Sequence, residues 1–454
     1  MQNLENLIIH NVYLTKNDIG KIHLKNLKFL NIQRSGIDIL DHIKIADNKL
    51  EKLILRPVDN FFDFKKSNQN FLENQKNVKI LNLQFDASNL KMIEKFHENS
   101  QFEDLTYDVV SIEETKSLVN FLKNQKNLKR LKIDCCENLT NEHFEMIQNL
   151  NLISLRLDNF DGIDEAELRQ ILKMTELKQL SLKVNDGNEE AFEIFHEFFL
   201  PKLEEFYLNE NDVIFDHSYY AGISNCMPNL KTFVILDSGF YEDEVKYAEI
   251  FRNFNKVEIL SLNNSSLPKV IFEIDEIKNE NLKELKISHF YHYEVFEFQK
   301  IVENFPNLEK ISFEFTVKKF ENAKDLKASI LENYFCLLSG LKNLKFFNCS
   351  TIFSNDFLAV SFTSDDIEIL LENSKNLEFF LNKNIKIENF DEIKRNFGQK
   401  FDYVKLVDDK ILFCNKRSLK EIKNREKQSM WIFHEVVNIL GEFFFKSFVW
   451  KYYN

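Results

Sequence analysis

Glycine and proline are scarce in this sequence, with 9 and 5 in 454 residues. That scarcity excludes a Pro/Gly-rich linker, so composition marks no break between separate globules. It also excludes glycine-dependent phosphate loops, and neither GxGxxG nor GxxxxGKS/T occurs. The six cysteines (Cys135, Cys136, Cys226, Cys336, Cys349, Cys414) include no CxxC pair and no even framework spacing. They read as reduced thiols rather than a disulfide scaffold or zinc site. No GxSxG, HExxH or kinase-type signature occurs. His289 and His292 stand three apart in SHFYHY, with no third ligand at a usual spacing. No metal, cofactor or catalytic residue is therefore expected, and the chain reads as a non-enzyme. Basic charge is also in deficit: 59 basic against 72 acidic residues, a formal charge of −13 and a pI near 5.4. Such a chain is a poor polyanion binder, so no nucleic-acid partner is expected. No run of eighteen uncharged apolar residues occurs, so no stable membrane insertion is expected. The start, MQNLENLIIH, lacks a basic stretch leading into an apolar one, so a signal peptide is not expected either. These absences point to a cytoplasmic or nuclear protein.

What is present is repetition. NFLENQKNVKILNL, Asn70 to Leu83, returns as NFLKNQKNLKRLKI, Asn120 to Ile133. Each phrase closes on an apolar triplet of spacing LxxLxL: Val78, Leu81, Leu83 and then Leu128, Leu131, Ile133. The spacing recurs along the chain, from Leu4/Leu7/Ile9 through Leu152/Leu155/Leu157 and Leu203/Phe206/Leu208 to Leu308/Ile311/Phe313. Degraded copies follow at Leu344/Phe347/Cys349, Leu377/Phe380/Asn382 and Phe401/Val404/Leu406. About 16 units spaced about 26 residues apart place the chain in the leucine-rich-repeat class. The last two apolar positions are two apart, so both point to one face of a strand. One unit cannot bury that edge alone, so neighbours stack. The predicted fold is an α/β leucine-rich-repeat solenoid, a horseshoe with a parallel concave sheet and convex helices. Its predicted extent is 1–406, with a C-terminal capping helical segment over 407–454.

The segments between triplets read as helices. EETKSLVNFLKNQ places Leu118, Phe121 and Leu122 on one face, and NEEAFEIFHEFF does so with Phe192, Phe195 and Phe199. EDEVKYAEIFRNF does the same with Val245, Ala248 and Phe251. An abundance of phenylalanine, 46 in all, suits wide gaps between helices and sheet. An Asn or Cys two residues past the triplet, as at Asn11, Asn159, Asn264 and Cys135, is expected to satisfy the turning backbone. Two long steps follow Leu308. ENAKDLKASILENYFCLLSG predicts a longer helix and FSNDFLAVSFTSDDIE a loop. Near the end, Phe433, Val436, Val437, Leu440, Phe444 and Phe448 recur at helical spacing, as a capping helix would require.

FLENQKNVKILNL, FLKNQKNLKRLKI and LLENSKNLEFFL (Leu370 to Leu381) resemble the repeat region of F-box/leucine-rich-repeat substrate receptors. The resemblance covers nearly the whole chain. It implies recognition of a protein substrate for an SCF-type ubiquitin ligase, through an adaptor bound by an F-box module ahead of the repeats. Here Leu4 already belongs to a repeat, so an adaptor is expected only if an F-box lies upstream. The alternative is a scaffold or regulatory repeat protein with no ubiquitin link.

The residues between the two inward positions of each strand are expected to line the concave surface. They include Lys132, Arg156, Ser181, Tyr207, Val234, Ser261 and Lys286. Adding Lys129, Arg130, Lys178 and Lys183 gives a basic stripe inside an acidic chain, bordered by Tyr207, Val234 and Leu236. Arg and Tyr beside apolar positions suit a protein interface. The expected partner is a protein, acidic if this stripe is the contact.

Overall fold

The computed structural model describes residues 4–10, 22–33, 43–45, 49–56, 71, 74–83, 101–108, 118, 120–134, 139–158, 165–184, 194–210, 217–236, 250–262, 278–292, 299–317, 323–353, 361–372, 376–383, 386–387, 390–397, 401, 403–407 and 410–414. They fall into two units, Met1–Gly239 and Phe240–Asn454.

The first unit is a run of short strands: β1 (Asn6–His10), β2 (Ile22–Leu24), β3 (Phe29–Gln33), β4 (Ile43–Ile45), β5 (Lys52–Arg56), β6 (Ile80–Leu83), β7 (Asp104–Asp108), β8 (Arg130–Asp134), β9 (Ser154–Asp158), β10 (Gln179–Val184), β11 (Glu205–Glu210) and β12 (Thr232–Leu236). Its helices are α1 (Asn141–Gln148), α2 (Glu165–Leu172) and α3 (His217–Cys226). From β1 through β3, β5 and onward to β12, each strand pairs in parallel with the next. Strands β2 and β4 form a separate parallel pair.

Register follows the triplets. Leu30 stands beside Leu53, Leu53 beside Leu81, and so on through Leu105, Leu131, Leu155 and Leu180 to Phe206 and Phe233. A slip of one residue would turn every leucine to the other face, so burial fixes the register. Leu53, Leu81, Leu105, Leu155, Leu180 and Phe206 are completely buried. The phenylalanines extend the column: Phe206 and Phe233 stack at 5.8 Å with rings 6° apart.

Helices cover this core. Leu118, Leu122, Phe144, Ile147, Leu168 and Ile171 are buried, and Phe121, only half-buried, tilts against Phe102 at 5.7 Å. One expected helical face is corrected. Phe195 is buried, but the helical turn it belongs to is a 3-10 turn over 194–197. Phe199 lies past its end and is 60% exposed. Phe192, Val245 and Ala248 lie outside the described residues.

The second unit contains β13 (Ile259–Leu262), β14 (Glu284–His292), β15 (Lys310–Val317), β16 (Phe346–Phe353), β17 (Ser361–Phe362), β18 (Phe379–Lys383), β19 (Lys386–Ile387), β20 (Tyr403–Val407) and β21 (Lys410–Cys414). Its helices are α4 (Gln299–Asn304), α5 (Ala323–Gly340), α6 (Ser364–Glu372) and α7 (Phe390–Phe397). β13, β14, β15, β16 and β18 pair in parallel order, with an irregularity in β14 between Ile287 and Phe290. β17 pairs with β19. The longer helix expected in the first long step is α5, 18 residues. Of FSNDFLAVSFTSDDIE, expected to be a loop, residues 354–360 lie outside the described residues, and the rest departs from that expectation. It holds the end of β16, then β17 and the start of α6, where Thr363 and Asp366 exchange hydrogen bonds across the first turn. The last triplet also departs from expectation. β20 reaches the sheet through β21, which pairs antiparallel with both β18 and β20. The expected capping residues from Phe433 to Phe448 lie outside the described residues.

Candidate binding surface

The face opposite the triplet core carries the predicted stripe. Lys132 on β8 stands beside Arg156 on β9, Arg156 beside Ser181 on β10, Ser181 beside Tyr207 on β11, and Tyr207 beside Val234 on β12. Arg130 opens β8, Lys129 and Lys178 directly precede β8 and β10, and all three are exposed. Lys132, Arg156, Tyr207 and Val234 are half-buried. The first unit thus gathers Lys129, Arg130, Lys132, Arg156 and Lys178 on three adjacent strands. Lys183 is placed by its backbone opposite Asn209.

Not every middle position offers side chain to a partner. Ser181 is buried between Arg156 and Tyr207, because strands about 4.8 Å apart let long neighbours cover a short one. Ser261 and Lys286 belong to the second unit and are adjacent there. Both are buried, as is Ser312 on the next strand. Ser312 Oγ accepts a hydrogen bond from Asn348 Nδ2 at 2.9 Å. This buried polar row is part of the scaffold.

A hydrogen-bonded chain crosses the stripe's acidic border. Ser154 Oγ donates to Gln179 Oε1 at 2.8 Å, and Gln179 Nε2 donates to Glu205 Oε2 at 2.9 Å. The Tyr207 hydroxyl donates to the same Glu205 oxygen at 3.0 Å. Burial, and then the Glu205 carboxylate, push the Tyr207 phenol well above its ordinary range, so it remains a donor. Arg130 Nε is held by Asp104 Oδ2 at 2.9 Å. The basic stripe is therefore bounded by fixed carboxylates on both sides.

Two rows of residues that apolar periodicity does not reveal run beside the triplets. The first is an asparagine row, directly before the first apolar residue of a unit. Asn229 donates to Pro201 O, Asn281 to Asn255 O, Asn307 to Glu280 O and Asn376 to Lys342 O, at 2.7–3.2 Å. Each amide satisfies a turn carbonyl of the preceding unit. The expected asparagine positions Asn11, Asn159 and Asn264, with Cys135, lie outside the described residues. The second is a charged row directly after that apolar residue. In the first unit it reads Glu5, Lys28, Glu51, Lys79, Glu103, Lys129, Ile153, Lys178, Glu204, Lys231. In the second it reads Glu258, Lys283, Glu309, Lys345, Glu378. Backbone hydrogen bonds join each of these residues to the next within its unit. Lys28–Glu5, Lys79–Glu103 and Lys231–Glu204 form ion pairs at 3.1–3.3 Å, as do Lys283–Glu258 and Lys345–Glu309 at 2.6 and 2.8 Å. Exposed pairs of this kind contribute about 0–1 kcal/mol each. Like charges at neighbouring positions would repel, so alternation also disfavours slipped pairing. The signal for both rows was the recurring dipeptides Asn-Leu and Leu-Glu/Leu-Lys.

Burial pushes the Cys226 thiol up to about 12, so it is not a nucleophile. Among the described residues, no group of three or more His, Cys, Asp and Glu side chains gathers as metal ligands do, and no helix is long and apolar enough to cross a membrane.

No family model matches the chain, and no curated protein matches it. Solved structures do. One is a TLR13–ssRNA13 complex: 16% identity, TM-score 0.41, covering 85% of this chain and 46% of that one. This chain therefore spans about half the length of the TLR13 chain. The yeast Rad7–Elc1 complex matches with 15% identity and a TM-score of 0.43, covering 66% and 75%. A Bacteroides fragilis protein matches with 18% identity and a TM-score of 0.31, covering 63% and 74%.

Proposed function

We propose that this chain is a non-enzymatic leucine-rich-repeat protein that binds a protein partner on the concave face of the first unit's sheet, opposite its buried leucines. The observation that supports this reading is the adjacency of Lys132 and Arg156, flanked by Lys129, Arg130 and Lys178, in a chain of net charge −13. Local charge opposite to the net charge selects an acidic surface. The half-buried Tyr207 and Val234 beside it supply apolar contact of the kind interfaces concentrate. The finer reading is substrate recognition for an SCF-type ubiquitin ligase, which requires an F-box; a scaffold without a ubiquitin link needs none.

Affinity capture with the purified chain, followed by mass spectrometry, tests both. The expected result is an acidic protein lost on Lys132→Glu plus Arg156→Glu. Capture unchanged by that double variant sinks the site. Co-capture of a ligase adaptor by the longest transcript supports the ubiquitin link, and its absence supports the scaffold.

A further inference from the structure

The charged row of the first unit breaks its alternation once. Signs alternate from Glu5 to Lys129 and again from Lys178 to Lys231, but the position between them is Ile153. Ile153 N donates to Lys129 O at 2.8 Å and Lys178 N donates to Ile153 O at 2.9 Å, so the three are consecutive in space. A glutamate at 153 would make the row alternate without interruption. The neighbouring carboxylates are engaged on their far sides: Glu103 with Lys79 at 3.3 Å, and Glu204 with Lys231 at 3.1 Å. Lys178 is exposed and makes no ion pair among the described residues, while Lys129 Nζ reaches only the carbonyl of Asn151, at 3.4 Å. Two lysines therefore flank an uncharged gap.

The gap opens onto a groove of about 610 Å³ lined by Ile153, Lys178, Pro201, Lys202, Glu204 and Lys231, among others. Within it Lys202 is neutralised by Glu176, and Lys231 by Glu204. Its uncompensated charge is Lys178, and Ile153 and Pro201 give it apolar wall.

We propose that this groove receives an acidic segment of a protein partner, seating a Glu or Asp carboxylate over Ile153 between Lys129 and Lys178. Neighbouring strands are about 4.8 Å apart, so one carboxylate at that position reaches both ammonium groups. The partner thereby supplies the missing member of the row. The inference rests on the proposed function's premise of an acidic partner and shares its Lys129 and Lys178, but it centres the contact on Ile153 and the groove beside it.

Fluorescence anisotropy with a labelled hexaglutamate peptide tests it on the full chain. Ile153→Glu places the chain's own carboxylate in the gap. It is expected to weaken binding about tenfold while melting at or above the wild-type temperature, so the loss is not unfolding. Lys178→Glu weakens binding comparably, and Lys178→Arg retains it. Wild-type affinity in Ile153→Glu, with loss in Lys132→Glu plus Arg156→Glu, overturns the groove and leaves the proposed stripe standing. Wild-type affinity in all these variants overturns both. Tighter binding of a single-stranded RNA of equal charge than of hexaglutamate also overturns the proposal.

Discussion

At the scale of single residues, two glycines make opposite predictions. Gly222 sits inside α3, and a methyl group added there would meet the tip of His196, Nε2 at 2.8 Å. His196 is exposed and swings away at little cost. Gly222→Ala is therefore expected to stay within about 1 kcal/mol of wild type, on the stabilising side, because alanine favours the helix. Gly340 ends α5, and its added methyl would lie 2.6 Å from Val302 Cγ1 and 3.3 Å from Val302 Cβ. That β-branched side chain cannot rotate clear without its backbone. Gly340→Ala is expected to cost about 1–3 kcal/mol, read as a lower urea midpoint at unchanged slope. Asn279 is a third test. It is buried, accepts from the backbone N–H groups of Asn281 and Leu282 at 2.8 and 3.1 Å, and donates to Phe254 O and Val257 O. Asn279→Ala orphans several backbone groups at once and should cost at least about 2 kcal/mol by the same measurement.

At the scale of elements, the cap of α1 couples stability to pH. Thr140 N donates to His143 Nδ1 at 3.1 Å, and the Thr140 hydroxyl lies 2.7 Å from the same nitrogen. His143 thus takes the place that Glu or Gln holds in a capping box, and it does so only with Nδ1 unprotonated. Burial lowers its pKa below the ordinary 6.5, against the opposing charge of Glu142. A depressed folded value means that the unfolded chain binds more protons in this range. The contribution is therefore complete above about pH 6.5 and is lost as pH falls through the folded value. Denaturation midpoints between about pH 5 and 8 should show that loss. His143→Gln, which keeps the acceptor, should flatten it. His143→Ala should instead lose about 0.5–2 kcal/mol at the upper end of that range, where the cap is otherwise intact.

Strand positions and register were readable because burial leaves apolar residues at fixed spacing: Leu131, Leu155 and Leu180 stand where LxxLxL puts them. Helix ends were not. The apolar spacing runs on to Phe199, but the helical turn stops at 197. The buried Ser181 and Lys286 could not be read either, because their cover comes from neighbouring strands rather than from neighbours in sequence. The β20–β21 hairpin left a trace in the two residues Asp408 and Asp409 between paired Val407 and Lys410, which repeat spacing alone passes over. For the binding surface, the clustering of Lys129, Lys132, Arg156 and Lys178 followed from register. The gap at Ile153 shows in the letters only as an Ile directly after Leu152, where every other position of the charged row carries Glu or Lys.

At the scale of the whole molecule, net charge and local charge oppose each other. An acidic partner approaching from beyond a screening length of about 10 Å at 0.1 M salt meets the field of a −13 chain. Only within that distance do Lys129, Lys132, Arg156 and Lys178 dominate. Long-range repulsion slows encounter, whereas short-range attraction holds the bound state. Salt weakens both, so the two rate constants should respond differently. In stopped-flow measurements with hexaglutamate, raising salt from about 0.02 to 0.3 M should leave the association rate flat or slightly higher, because repulsion is screened first. The dissociation rate should rise severalfold, because the lysine–carboxylate contacts are exposed. A steep fall of the association rate with salt would mean that the basic cluster steers encounter from a distance despite the net charge. The affinity of Ile153→Glu should then be lost through association rather than dissociation, the reverse of what a carboxylate seated between two lysines requires.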